Sequence, residues 1–116
     1  MKKTVFLKEN HLFRRLYNKG RSAVCPELAL YVRKNGRSGN RLGLTVSTKV
    51  GCAVVRNRVR RRLREIYRLH EEEFLPGRDL VIVARVRGVH VSYWTLDRDL
   101  MKLARKLDLL RTEGQK

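Results

Sequence analysis

The sequence predicts an α+β fold, a single-domain α/β sandwich with helices packed against one sheet in the order α-β-β-β-α-β-α. Three observations carry that prediction. Two stretches, Leu28–Arg33 and Arg41–Thr48, alternate the side chains of a two-faced strand. Two longer stretches, Ala53–Phe74 and Tyr93–Leu110, repeat apolar residues at helical spacing. Between them, Leu80–Val86 is apolar without alternation, as in a strand buried on both faces. The 116 residues suffice for one domain with one modest core.

The first element is a helix over Asn10–Lys19, with Asn10 as its N-cap and Gly20 as its stop. Leu12 and Leu16 form one i, i+4 pair, and Phe13 and Tyr17 form another beside it. Arg21–Arg33 reads as extended and is split in two at Pro26. Leu28, Leu30 and Val32 share one face, while Ala29, Tyr31 and Arg33 share the other. The segment "RKNGRSGN", residues 33–40, is rich in turn formers, so a hairpin is expected between the strands that flank it. On the second of these, Leu42, Leu44 and Val46 oppose Gly43, Thr45 and Ser47. After the connection "KVGCA", the next helix places Val55, Val59, Leu63, Ile66 and His70 on one side. Pro76 and Gly77 stop it before the buried strand. The last helix carries Leu96, Leu100, Leu103, Leu107 and Leu110, with Ser92 or Thr95 as its cap. Residues 111–116 read as a frayed tail to a domain spanning 1–116.

Charge narrows the function. Lys and Arg number 28 against 11 acidic residues, for a net charge of +17. Such an excess calls for a polyanionic partner, of which nucleic acid is the commonest. No apolar run approaches transmembrane length, and no helix has the apolar face of an interfacial one, so a membrane partner is not expected. The start "MKKTVFLKENHLF" lacks a continuous apolar stretch and a cleavage site. A cytoplasmic location with reduced thiols is the expectation. Cys25 and Cys52 are isolated and His11, His70 and His90 scattered, so spacing points to no zinc site.

The charge is concentrated in "VVRNRVRRRLREIYR", Val54–Arg68, where seven of fifteen residues are arginine. Arg56 with Arg60, Arg60 with Arg64, Arg64 with Arg68 and Arg58 with Arg62 are like-charged i, i+4 pairs. Each costs about 0.2–0.5 kcal/mol, and only Glu65, expected beside Arg61, offsets them. Phosphates relieve that repulsion, and counterion release drives their association. A solvated face would mix Glu with Lys. This face is nearly single-signed and uses Arg, whose planar fork suits phosphate oxygens and stacked bases. Asn57, a modest helix former between two guanidiniums, implies a specific contact to RNA or to a metal-bound water shell. No helix-turn-helix partner or leucine zipper accompanies the helix, which leaves RNA ahead of DNA. Phe13, Tyr17 and Tyr31 could stack unpaired bases beside it. From spacing alone Phe13 and Tyr17 fit a core better than a stacking surface, although the hydroxyls of Tyr17 and Tyr31 suit half-exposed positions. Asp79, Asp97, Asp99 and Asp108 form no paired-carboxylate set near the arginines, and no Ser-His-Asp or Cys-His constellation is visible.

The stretch "GLTVSTKVGCAVVRNRVRRRLREIYR", Gly43–Arg68, resembles the signature of the protein subunit of bacterial ribonuclease P. The resemblance lies in Val46-Ser47, Lys49-Val50-Gly51, Ala53-Val54 and Arg56-Asn57-Arg58, and continues through Arg60, Arg61 and Arg64. Weaker echoes run along nearly the whole chain, among them "LYV" and "DLVIVAR". Tyr17 stands where the family often has phenylalanine. The resemblance implies a ribosomal-protein-S5-like sandwich with a left-handed crossover, against the usual hand. It also implies a partner, the ribonuclease P RNA subunit, and a substrate, precursor tRNA, whose 5′ leader is removed. Catalysis and its Mg2+ would belong to that RNA, leaving no catalytic residue in the protein. Phe13, Tyr17 and Tyr31 would line a leader-binding cleft. Lys49, Arg56, Asn57, Arg58, Arg60, Arg61, Arg64 and Arg68 would form the RNA-binding face. A structural RNA-binding protein of ribosomal type and an independent nuclease are the alternatives left by composition.

Overall fold

The computed structural model describes residues 3–111. The expected tail beyond Arg111 lies outside the described residues. Strand β1 (Thr4–Phe6) precedes helix α1 (Asn10–Lys19). Strands β2 (Arg21–Val24), β3 (Leu28–Lys34) and β4 (Asn40–Val46) follow, then helix α2 (Ala53–His70), strand β5 (Arg78–Ala84) and helix α3 (Tyr93–Lys106). The order is that expected, with β1 added in front. Three residues of mixed polarity gave β1 no period to read.

The five strands form one mixed sheet in the order β1-β4-β5-β3-β2. The expected hairpin between β3 and β4 is not there. Strand β5 lies between them, antiparallel to β3 and parallel to β4. The physical reason is burial. Leu80, Val81 and Ile82 are at most 1 % exposed, so the most apolar strand takes the centre of the sheet. The hairpin that does form is β2–β3, through the loop at Pro26. The short β1 adds parallel to β4 at the opposite edge.

The two faces of the sheet are covered unequally. Leu28, Leu30, Val32, Leu42, Val46, Leu80, Ile82 and Ala84 meet Val59, Leu63, Ile66 and Tyr67 of α2 and Leu96, Leu100 and Leu103 of α3. Tyr67, which helical spacing did not single out, is fully buried and bonded to Thr4 Oγ1 at 2.9 Å, fastening β1. On the other face α1 is the one helix over the sheet among the described residues, and a smaller cluster gathers Leu7, Leu16 and Val81 with Leu12, Phe13, Tyr31 and Val83.

Helix ends differ from the expected ones. Glu9, not Asn10, is the N-cap of α1. Gly20 does stop it, in an extended conformation. A Cβ there would come within 2.6 Å of Leu16 O and 2.9 Å of Val32 O, so only glycine allows the chain to turn so tightly into β2. Helix α2 stops at His70 and tightens into a 3-10 turn, Glu71–Glu73, short of Phe74. Helix α3 ends at Lys106 rather than Leu110, because Asp108 adopts a left-handed conformation (φ 55°). Leu110 then bridges to Phe74. Ser92 is the cap of α3 and accepts from Thr95 N at 3.2 Å.

Candidate nucleic-acid interface

The sparsely covered sheet face brings the three predicted aromatic residues together. Phe13 and Tyr17 descend from α1, one helical turn apart, and Tyr31 rises from β3. The rings of Tyr17 and Tyr31 meet edge to face with centroids 4.9 Å apart. Phe13 lies 6.5 Å from Tyr17 in a tilted arrangement. Phe13 and Tyr31 are half-buried, while Tyr17 is 39 % exposed. Phe13 and Tyr31 pack against the small cluster, while Tyr17 stands more exposed beside them.

Two residues outside the expected set complete this row. Thr45 on β4 holds the Tyr17 hydroxyl at 3.3 Å. Gly43, two positions earlier on the same face, makes room for Phe13, since a Cβ there would lie 2.6 Å from the ring. The sequence carried a signal for Gly43, because an isolated glycine in an alternating strand marks a close approach.

Strand β4 continues from Thr45 to a 3-10 turn, Thr48–Val50, and then to α2. Ser47 Oγ accepts from Lys49 N at 3.2 Å and starts the turn, leaving Lys49 exposed. The predicted face of α2 then follows. Asn57, Arg58, Arg60, Arg61, Arg64 and Arg68 are exposed, and Arg56 is half-buried. Asn57 Oδ1 accepts from Arg60 Nη1 at 3.0 Å, which aligns that guanidinium along the helix. The buried Nε of Arg56 has no hydrogen-bond partner among the described residues.

Glu65 does not serve Arg61 as expected. It binds Arg68 through two hydrogen bonds of 2.6 and 3.0 Å, because the i+3 fork reaches both carboxylate oxygens. Arg68 lowers the pKa of Glu65, whose own carboxylate raises that of Arg68. Among the described residues, Arg56, Arg58, Arg60, Arg61 and Arg64 make no ion pair. The aspartates are engaged elsewhere. Asp79 takes a two-pronged salt bridge from Arg41 at 2.7 Å, Asp97 bonds His70 at 2.8 Å, and Asp99 is a buried residue of α3.

This donor set does not fit a Mg2+ ion held by the protein. Mg2+ requires oxygen ligands, preferably carboxylates. The face offers guanidiniums, and the amide oxygen of Asn57 is already used. Nor does a concavity of about 570 Å³ around Cys25, Pro26, Arg85 and Arg87 contain any residue of the predicted site. No helix among the described residues is long and apolar enough to cross a membrane.

Known proteins with this pattern are consistent with one another. The family model for ribonuclease P matches residues 1–108. The ribonuclease P protein component of Natranaerobius thermophilus is 40% identical over 111 residues, 96% of each chain. That of Clostridioides difficile is 38% identical over 108 residues, covering 92% of this chain and 95% of its own. Among solved structures, the Staphylococcus aureus RNase P protein superposes with a TM-score of 0.84 at 27% identity, over 91% of this chain and 97% of that one. The Thermotoga maritima RNase P protein gives 0.79 at 31% identity, over 85% and 94%. With the motif, the fold and the relatives in agreement, the chain belongs to the ribonuclease P protein family.

Proposed function

We propose that the protein grips two RNAs at once. The arginine face of α2 holds the catalytic RNA subunit of ribonuclease P, and the aromatic row holds the single-stranded 5′ leader of precursor tRNA. The observation that carries this reading is the continuity of the two surfaces. Strand β4 touches Tyr17 through Thr45, passes directly through the Lys49 turn, and opens the helix that carries Arg56, Asn57 and Arg58. The surfaces differ in kind as the two tasks require. Unpaired bases stack on rings, whereas a folded RNA presents phosphates to guanidiniums.

The protein's contribution to leader removal is electrostatic and positional. Uncompensated arginines lessen the repulsion between two polyanions, and the ring row sets the register of the leader. Phosphodiester hydrolysis and Mg2+ belong to the RNA subunit, which provides the oxygen ligands that the protein face lacks. The working compartment is the cytoplasm.

Mixing the protein with ribonuclease P RNA and precursor tRNA at low magnesium tests the proposal. Stimulated cleavage at the leader junction is expected. Binding without stimulation would make it a structural RNA-binding protein, and cleavage without the RNA subunit would make it an independent nuclease.

A further inference from the structure

Folding assembles three side chains that the RNA-binding surfaces leave unused. Cys25 follows β2, Glu27 lies in the loop to β3, and Asp99 faces them from α3. One ligand atom of each lies within 4.8 Å of the other two. Asp99 is only 6 % exposed, and its Oδ2 has no hydrogen-bond partner. A buried carboxylate oxygen facing a second acid needs a proton or a cation to balance it.

The loop carrying two of these groups is held in place. Arg85 N donates to Glu27 O at 3.0 Å, and Arg85 Nη1 donates to Cys25 O at 2.9 Å. Cys25 N donates to Leu28 O at 2.8 Å across the loop. Gly88 comes so near that a Cβ there would lie 2.7 Å from Glu27 O. Cys25 also lines the open groove of about 570 Å³, so an ion has a route from solvent. The competing charges are movable. Arg98 Nε is 3.8 Å from Asp99 Oδ1 on a side chain 74 % exposed, and the exposed Lys102 lies one turn beyond Arg98.

We propose that Cys25, Glu27 and Asp99 form a binding site for a thiophilic divalent cation of the zinc type, with water as the fourth ligand, clasping the β2–β3 loop to α3. The thiolate sets the class of metal, because Mg2+ and Ca2+ take oxygen ligands. Three protein ligands with one open position form a common tetrahedral arrangement. Bonds of about 2.0–2.3 Å to such an ion place its ligands roughly 3.4–3.7 Å apart. The three side chains therefore need to close by about an ångström, which Cys25 and Glu27 reach by rotation. The cation displaces the thiol proton and any proton shared by the two acids, so binding weakens as pH falls.

Cobalt titration of the full chain, first stripped with a chelator, tests the site. One equivalent of Co2+ should give a thiolate-to-cobalt charge-transfer band and the visible bands of four-coordinate cobalt, both abolished by Zn2+. Cys25→Ser should remove the charge-transfer band, while Cys52→Ala leaves it intact. Asp99→Asn and Glu27→Gln should each weaken the apparent affinity by more than about tenfold, the loss that even outer partners of a metal site produce. Thermal melts of each metal-free variant verify that it is folded. A missing band, a band that survives Cys25→Ser, or Zn2+ raising the melting temperature of the Cys25→Ser protein as much as that of the parent would overturn the proposal. So would Asp99→Asn stabilising the chain with no metal bound by the parent, since Glu27 and Asp99 would then be an acid pair sharing a proton.

Discussion

At Gly43 a single hydrogen atom decides whether the aromatic row can form. A methyl group there would overlap the Phe13 ring at 2.6 Å and press on Val81 at 3.2 Å. The ring is half-buried and can swing outward, so Gly43→Ala should leave the chain folded at a cost of about 1–3 kcal/mol. Its binding of leader-bearing precursor should fall toward that of Phe13→Ala or Tyr31→Ala, each of which removes about 1–3 kcal/mol of stacking. Mature tRNA is the control: an equal loss for both RNAs would reject the leader assignment. Cys52 reports on the other surface. It is exposed just before α2, and backbone hydrogen bonds, chiefly from Val55 and Val54, lower its thiol pKa. It should therefore alkylate before the half-buried Cys25, and bound ribonuclease P RNA should slow that reaction, as mass spectrometry of the modified peptides would read. Unchanged labelling in the complex would place the RNA elsewhere than on the first turn of α2. The aromatic trio was singled out from residue type beside a basic helix, and only its cleft came from the resemblance to a family. Thr45 and the Glu65–Arg68 pair were not, because the first depends on which strands flank α1 and the second on which of two helical neighbours a carboxylate reaches.

Among the elements, α2 and α3 are tied at their near ends by a histidine between two acids. His70 bonds Glu73 through Nδ1 and Asp97 through Nε2, the latter at 2.8 Å. Burial draws its pKa down, but the bonds to Glu73 and Asp97 together outweigh burial and leave it above its ordinary value of 6.5. A pKa raised by folding stabilises the fold fully below the unfolded value, and the gain fades as pH climbs through the folded one. The melting temperature should therefore decline above about pH 6.5, more steeply than that of His70→Gln. Parallel curves between about pH 5.5 and 8.5 would remove the clamp. His70 had read as one more position on the apolar stripe, which shows how far helical period reaches. Period located α1, α2, α3 and the alternating strands. It could not tell that β5 would part β3 from β4, because strand pairing depends on which run most needs burial on both faces. Nor could it stop α3 at Lys106, since Leu107 and Leu110 keep the helical spacing after Asp108 has turned the chain.

Over the whole molecule, a net charge of +17 spread along 40 Å attracts any polyanion. What distinguishes a recognition face from a general field is whether particular cations displace particular counterions. Association with ribonuclease P RNA should weaken steeply with salt, by about 10³–10⁵ between 50 and 200 mM for six to ten phosphate contacts. Arg60→Ala and Arg64→Ala should each flatten the log-log slope by nearly one unit, since each deletes an exposed cation with no acidic partner. Arg68→Ala should flatten it less, because Glu65 already neutralises that guanidinium. Arg105→Ala, an equal loss of charge from the exposed side of α3, should leave the slope almost unchanged. Four equal slopes would mean that the field of the whole protein, and not one face of α2, holds the RNA. The two outcomes separate on slope alone, so the comparison holds even if every variant loses some affinity.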